Sequence, residues 1–515
     1  MIYSASIASK TNLPIPLFAD GTAMHSKYDP EREAASFGDS IADDCGFVLV
    51  AGIGAGYHIQ SLISKKPALV ILAVEADEQS LEFCRSFPIV QTLSALHTVT
   101  LCTVHDAPLI LLRKYLPSLH GSFAFLPQRA WGDKNNILLG QLKLLIEHSL
   151  SSLRADYSVQ THFGRLWQRN ILLNAKQLET VQIDTPDVKK IAAVIAAGPS
   201  LDKNIHRLTD DRSSYYIIST DTAYGPLLLR GISPDAVVSV DGQSISKTHF
   251  YICPQASKDK NTLFIFDLCA SPDAVRLVKT RGYRTLFIQS GHPLSQFISS
   301  FTSIPSLKTG AGTVTIAACD WARVCGFKTI ELFGADFSYS SGKPYAKGTY
   351  LDKKYYYEDF RLGTAENYFD TLLYRTPILP AASPSEFSGI LDRPFTTEVL
   401  DSYRQTLLSW AEENGFYKTE CSALITTSPS SSSAIGQSPV DMAAFHRQWS
   451  SCLHSEIERL KHTDGVPLYN DGETLSLYTV LPYIAWLKNS NQTECAKLPL
   501  FELIKLAYSD AVRYT

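Results

Sequence analysis

Six apolar residues, Ile191 to Ala196, run into Gly198-Pro199-Ser200 and then into Leu201-Asp202-Lys203-Asn204-Ile205. A short unbroken apolar run predicts a strand buried on both faces, and such a strand followed at once by a helix start is the unit of a parallel α/β sheet. Pro199 suits the first helical position because it has no N–H to leave unpaired, and Gly198 lets the backbone approach a ligand closely. The first amides of such a helix attract anions. Gly198, Pro199 and Ser200 are therefore candidate binding residues for a phosphate-bearing ligand above the carboxyl end of the strand, although the same turn also serves as a plain strand-to-helix connection.

The pattern repeats downstream. Strands are expected at Tyr215 to Ser219, Ala236 to Val240 and Leu263 to Phe266, ending at Thr220-Asp221-Thr222, Asp241-Gly242-Gln243 and Asp267. In a parallel sheet these ends share one rim, so Ser200, Asp221, Thr222, Asp241 and Gln243 are expected to converge on one ligand. A second glycine-rich turn, Gly310-Ala311-Gly312-Thr313, opens a helix predicted from Val314 to Cys325, and a strand from Thr329 to Phe333 runs into Gly334-Ala335-Asp336. Gly310, Gly312 and Thr313 thus join the candidates for anion binding. Residues 338–357 are dense in tyrosine and lysine, which predicts a lid whose Tyr339, Tyr345 and Lys347 stabilise a leaving phosphate; Lys353 and Lys354 read as solvated charges.

Ahead of this region, strand Phe47 to Val50 meets Gly52-Ile53-Gly54-Ala55-Gly56, and a second strand from Leu69 to Val74 ends at Glu75-Ala76-Asp77. A glycine-rich first turn with an acid about 20 positions on is a nucleotide-binding pattern, and also the opening of an S-adenosylmethionine methyltransferase; the alternative is a Rossmann-like domain without a ligand. Residues 133–181 read as helix. These signals divide the chain into a Rossmann-like N-terminal domain (1–130), a helical connector (131–185), a central doubly wound α/β domain (186–428) and a helical C-terminal region (429–515). Within the last boundary, Thr426 to Pro439 has linker composition.

With 515 residues, several cores fit. A net charge of −4 with 19% charged residues gives no basic surplus for nucleic acid. No apolar run approaches the roughly 18 residues of a membrane span, and Met1 to Asp20 lacks the apolar centre of a signal peptide, so a cytoplasmic protein is expected. Ten cysteines without a Cys-x-x-Cys pair read as buried thiols, and no metal site is expected.

His25-Ser26-Lys27-Tyr28-Asp29-Pro30, the Gly52–His58 turn, Leu166-Trp167-x-x-Asn170, Gly198–Leu201, Gly231-Ile232-x-Pro234-Asp235, the Gly310–Thr313 turn, Gly334–Asp336 and Ala346-Lys347-Gly348 together resemble the motility accessory factor (Maf) family. These are flagellin glycosyltransferases built on an MptE-like domain. The resemblance implies transfer of a nonulosonic acid, pseudaminic or legionaminic, from a CMP-activated donor to serine or threonine of flagellin, with no tightly bound cofactor. The core is also similar to the Campylobacter-type sialyltransferases, with Ala197–Leu201, Ser219–Asp221, Gly312-Thr313 and Gly334–Phe337 at the matching positions. It departs from them in having Ala197 where they have asparagine, and in having no histidine between Asp336 and His446.

An inverting displacement then needs a base for the acceptor hydroxyl. His249 is the first candidate, eight residues past Asp241; His292 is second, and Asp241 or Asp336 serves if burial raises its pKa. Three other readings stand beside this one: a hydroxymethylpterin diphosphokinase-like enzyme using ATP and magnesium, a non-catalytic flagellin-binding chaperone, and a methyltransferase on the first glycine-rich turn. Flagellin and a nucleotide sugar are the expected partners, and a homo-oligomer is compatible with the sequence.

Overall fold

In the computed structural model the described residues are 1–515 except 40, 185, 257–260, 310–311, 340–342, 358–364, 376, 378, 381–394, 419–422, 427–434, 463–474, 491–494 and 496–497. They group into two compact units, Met1–Arg165 with Gln448–Arg513, and Leu166–Arg447 with Tyr514–Thr515.

The first unit is built on four parallel strands, β1 (Cys45–Ala51), β2 (Val70–Glu75), β3 (Val99–Thr103) and β4 (Ser122–Pro127), in the order β3-β2-β1-β4. β1 and β2 are almost wholly buried, as their unbroken apolar sequences demand. The C-terminal helices, read from the sequence as a region of their own, pack into this unit. Arg165 and Tyr483 both bond Asp510, at 3.0 and 2.9 Å, and Trp449 Nε1 donates to Thr479 at 2.8 Å. Helical periodicity shows which face is apolar but not which partner covers it, so the sequence could not supply this grouping. The expected connector is a single helix, Asn136–Ala175; a Cβ on its Gly164 would lie 1.7 Å from the Pro482 carbonyl oxygen, so only glycine permits that approach.

The second unit is built on an eight-stranded sheet: β5 (Ile191–Ile195), β6 (Tyr215–Thr220), β7 (Ala236–Ser239), β8 (Leu263–Asp267), β9 (Thr285–Ile288), β10 (Thr329–Phe333), β11 (Phe416–Lys418) and β12 (Ala423–Thr426). Their order is β9-β8-β7-β6-β5-β10-β12-β11, with the first six parallel and the last two antiparallel. Ala192, Val194 and Ile218 face the helix Val314–Val324, while Ala193, Ile195 and Ile217 face Ala223 and Leu227 on the opposite side. Helices on both faces of a parallel sheet make this the doubly wound α/β fold expected from the sequence. The chain adds strands outward from β5 to β9 and then returns to place β10 on the other side of β5. The carboxyl ends of β5 and β10 are therefore the switch point, where open α/β sheets leave a crevice.

Two local readings change. Within the stretch read as a linker, Ile435–Gln437 is a strand paired with Val181–Ile183, and residues 427–434 lie outside the described residues. The predicted helix start after Ser200 is a four-residue turn, Leu201–Asn204, followed by a second short piece. Among the described residues, no helix is long and apolar enough to cross a membrane, and the cysteines are free thiols.

Candidate functional site

At the switch point Gly198 N donates to Gly334 O at 2.8 Å, and Ser200 N donates to Asp336 Oδ2 at 2.8 Å while its hydroxyl bonds the other carboxylate oxygen. The amides expected to meet a phosphate are thus occupied by the chain itself, with Asp336 in the place of the anion. A Cβ on Gly198 would lie 2.5 Å from Gly334 O and 2.7 Å from Asp336 Cγ, so the glycine is required by this approach of two strand ends. Burial raises the Asp336 pKa, against the hydrogen bonds from Ser200. Both its oxygens are engaged and its surface is 3% exposed, so it cannot receive a proton from an acceptor substrate.

The other rim residues gather beside this turn. Asp221, at the end of β6, accepts from Thr222 N at 2.7 Å and from Ser239 Oγ at 2.8 Å. Asp241, after β7, is half-buried; burial raises its pKa, the Asp221 charge raises it further, and His249 draws it down. His249 stands edge-on to Tyr350 with ring centres 4.7 Å apart. Tyr345 is close enough for the charge of Asp221 and the hydroxyls of Tyr350 and Tyr339 to act on it; with burial they push its phenol up to about 12. A cavity of about 290 Å³ opens among Thr222, Ile245, His249, Thr349, Tyr350 and Lys354.

The tyrosine- and lysine-rich segment is tied down where it is described. Ala346 N donates to Ala197 O at 2.8 Å, and Lys347 N reaches Asp202 at 3.1 Å, which also pairs with Arg230 at 2.5 Å. Gly348 has φ +103° and sits against Pro226 and Leu229, a conformation and a space that suit glycine alone. Residues 345–350 therefore form a fixed strap from the β5 turn to the cavity; residues 340–342 lie outside the described residues. Tyr339 is held by a two-way backbone bridge to Phe395. Lys347 has its side chain exposed.

The remaining predicted residues are placed apart. Gln243 is exposed and uses its backbone N–H to cap Asp241 at 2.9 Å. Gly310 lies outside the described residues, whereas Gly312, at φ +88°, and Thr313 lead into the helix Val314–Val324. That helix crosses β5, β6 and β7 on its way to the start of β10, so its N-terminal end lies at the carboxyl rim. His292 caps the helix Pro293–Ser299 through Nδ1; burial pushes its pKa down to about 3, which fits a structural role.

Sequence reasoning missed Asn174 and Thr349 and left Asn170 without a job. Asn170 Nδ2 donates to Gly242 O and Cys269 O at 2.9 and 3.0 Å, and Asn174 Nδ2 to Leu268 O and Ala270 O at 2.9 and 2.8 Å. These two buried amides, one helical turn apart, hold the Leu268–Ala270 loop after β8, and Asn170 also holds Gly242, next to Asp241. Two asparagines four apart on an otherwise apolar helix face were the available signal.

Comparisons with known proteins agree with this architecture. The profile of a family described as "6-hydroxymethylpterin diphosphokinase MptE-like" matches residues 169–342. An uncharacterized protein of Treponema pallidum (strain Nichols) is 32% identical over 255 residues, which is 49% of this chain and 75% of the relative. The chain belongs to the same family. A second uncharacterized T. pallidum protein is 37% identical over 146 residues, covering 27% of this chain and 68% of its own. The structure of a Maf glycosyltransferase from Magnetospirillum magneticum AMB-1 superposes with a TM-score of 0.56 at 13% identity, over 99% of this chain and 91% of that one. The resemblance drawn from the motifs is borne out in the MptE-like domain and in the fold.

The family motifs at the front of the chain serve the first unit itself. Ile53 N, Tyr3 OH and Trp131 Nε1 all donate to the buried Glu75 carboxylate, at 3.1, 3.1 and 2.7 Å, so the acid at the end of β2 is closed to a ribose. Trp131 Cγ lies 2.5 Å from where a Gly52 Cβ would be, and His25 Nε2 is 2.6 Å from the same point on Gly54 and accepts from Ala55 N at 3.0 Å. The glycine-rich turn is filled by the protein's own side chains, which removes the structural ground for a methyltransferase site.

This packing carries a pH dependence. Burial pushes His58 down to about 4, from an unfolded value near 6.5. Because the folded value is lower, the unfolded chain takes up the proton first, and stability is lost as pH falls from about 6.5 to about 4, by up to about 3 kcal/mol. Thermal melting across that window is expected to show a shallower slope in His58→Gln than in the wild type.

Proposed function

We propose that the chain is a glycosyltransferase that moves a nonulosonic acid of the pseudaminic or legionaminic type from its CMP-activated form to serine or threonine of flagellin. The observation that carries this reading is the grouping of Asp221, Asp241 and His249 at the carboxyl rim of a doubly wound sheet, near enough for Asp221 and His249 to act on the Asp241 carboxyl, beside a cavity that His249 lines. The likeness to a Maf glycosyltransferase supports the same fold for such a reaction.

In the proposed step Asp241 takes the proton of the acceptor hydroxyl, whose oxygen forms a bond to the anomeric carbon as the bond to the CMP phosphate breaks. The electron pair leaves with the phosphate. Asp241 suits the base role because its carboxyl is raised toward working pH and half-exposed, unlike the enclosed Asp336. The departing phosphate is met at the start of the helix Val314–Val324, where Thr313 Oγ1 caps the Thr315 amide at 3.3 Å and the positive end of the helix faces the rim, and by the Tyr345 phenol, which stays protonated. CMP leaves as a stable anion, so the step requires no metal.

A second reading keeps one specific support. The family profile over residues 169–342 is described by a pterin diphosphokinase, whose chemistry would use ATP and magnesium. Calorimetric titration with CMP, with ATP plus magnesium and with S-adenosylmethionine separates the readings. Binding of CMP without metal, followed by a mass gain on flagellin when CMP-pseudaminic or CMP-legionaminic acid is supplied, is the expected outcome. Binding of ATP-magnesium alone would replace the glycosyltransferase reading with the kinase.

A further inference from the structure

The loops after β7 and β8 meet at the carboxyl rim, and Gly242 is a point of contact. A Cβ there would lie 2.8 Å from Cys269 O and 3.2 Å from Asn170 Nδ2, so the approach of the two loops needs glycine. Beside this contact Ser271 N, from the second loop, donates to Asp241 O at 3.0 Å. Within its own loop the Asp241 carboxylate accepts from Gln243 N at 2.9 Å. Gly242 is the residue between that carboxylate and that amide, so whatever fixes Gly242 fixes the bond.

The two buried asparagines of the helix Asn136–Ala175 divide this work unequally. Each faces two carbonyl oxygens, which settles the orientation of its amide, because only the nitrogen end can donate. Asn174 gives its bonds to one loop, at Leu268 O and Ala270 O, and shapes that loop alone. Asn170 gives one bond to each loop, at Gly242 O and Cys269 O, and ties them together. Both residues are fully buried, and truncating either to alanine leaves two carbonyls without their donor. The chemical loss is the same in the two cases; only the connection to Asp241 differs.

We infer that Asn170 is a positioning residue for Asp241: by clamping Gly242 to the loop after β8, it keeps the Gln243 amide on the Asp241 carboxylate and the carboxylate at the rim. The inference rests on the glycosyltransferase reading, in which Asp241 is the base, and names what holds that base in place. The charged groups around the carboxyl are Asp221, from the end of β6, and His249, from the 3₁₀ turn Ser244–Phe250. The loop after β8 brings Asp267, whose Oδ1 accepts from Cys269 N at 2.6 Å. All three stay when Asn170 is changed, so a shift in the Asp241 titration reports the Gln243 bond. A hydrogen bond to a carboxylate favours its charged form, and losing it raises the pKa.

The test sets Asn170→Ala beside Asn174→Ala in the full chain, with Asn170→Ser as a milder change that keeps a hydroxyl too short to bridge both loops. Carbon-13 NMR of protein labelled at aspartate carboxyls follows Asp241, whose signal is identified by its loss in Asp241→Asn. Asn170→Ala should raise the Asp241 pKa by about half a unit or more, while Asn174→Ala leaves it in place and lowers the melting temperature to a similar degree. Sugar transfer should follow, with kcat about 10²-fold lower in Asn170→Ala, its acid limb moved to higher pH, and the donor KM within about threefold of the wild type. Asn174→Ala should keep the wild-type acid limb. An Asp241 titration that stays put or falls in Asn170→Ala, or that moves equally in both alanine variants, overturns the inference and leaves the glycosyltransferase reading in place. Should Asn170→Ala fail to fold, Asn170→Ser takes its place with the same outcomes deciding. If the wild type transfers no sugar, the glycosyltransferase reading falls, and the titration, which needs no substrate, still decides whether Asn170 holds Asp241.

Discussion

Alanine at position 198 is expected to cost the central unit on the order of 4 kcal/mol, because the added Cβ would fall 2.5 Å from Gly334 O and 2.7 Å from Asp336 Cγ. Neither obstacle is the free end of a flexible side chain. Gly334 has φ +64° and is itself pressed against Ala196 O, and Asp336 is fixed by two hydrogen bonds to Ser200. Relief therefore requires β5 and β10 to part at their carboxyl ends, which opens the core between them. For a unit of this size such a loss lowers the melting temperature by about 10 °C. Gly140→Ala is the control: it lies in a helix with nothing within 4 Å of the new Cβ, and is expected to leave stability unchanged or slightly raised. A wild-type melting curve for Gly198→Ala would show that the strand ends are not locked as described.

The second large effect concerns the base. Asp241→Asn is expected to lower the turnover of the proposed sugar transfer by about 10²- to 10⁴-fold with folding intact. Its neighbours supply a test with a sign. A base works when deprotonated, so activity falls as pH drops through the Asp241 pKa, which burial and Asp221 raise and His249 lowers. Asp221→Asn keeps the shape of the side chain and removes a negative charge, so the acid limb of the pH profile should move to lower pH. His249→Asn removes the lowering influence, so the limb should move to higher pH with activity retained. If His249 were the base, His249→Asn would abolish transfer instead, and the acid limb of the wild type would follow an imidazole.

How far the sequence reached depended on which interactions are local. The strands from β5 to β8 and β10 were legible because both faces are buried and the apolar runs are unbroken; their ends came within a residue or two. β9, Thr285–Ile288, was not read, although it is as long as β7 and Gly282, at φ +84°, marks the turn before it. The rim was legible as an idea, since parallel topology forces strand ends together, and Asp221 and Asp241 do lie close. What each carboxylate does there was not. Asp336 and Asp241 follow strands in the same way in the sequence, yet one is closed by Ser200, 136 residues away along the chain, and the other stays open. The first glycine-rich turn failed for a related reason. Its spacing is that of a nucleotide site, and only the packing of Trp131 and His25 shows that the space is taken.

The bond between Ser200 and Asp336 bears on how such chains are to be recognised. A phosphate-binding turn is usually shaped by the ligand it holds, so its sequence tracks its chemistry. Here the turn brings its own counterion and is complete when empty. Selection for a foldable chain is then enough to preserve Gly198-Pro199-Ser200 together with Asp336. The signature can outlast a change of nucleotide, of sugar or of reaction, and marks common descent more securely than common substrate.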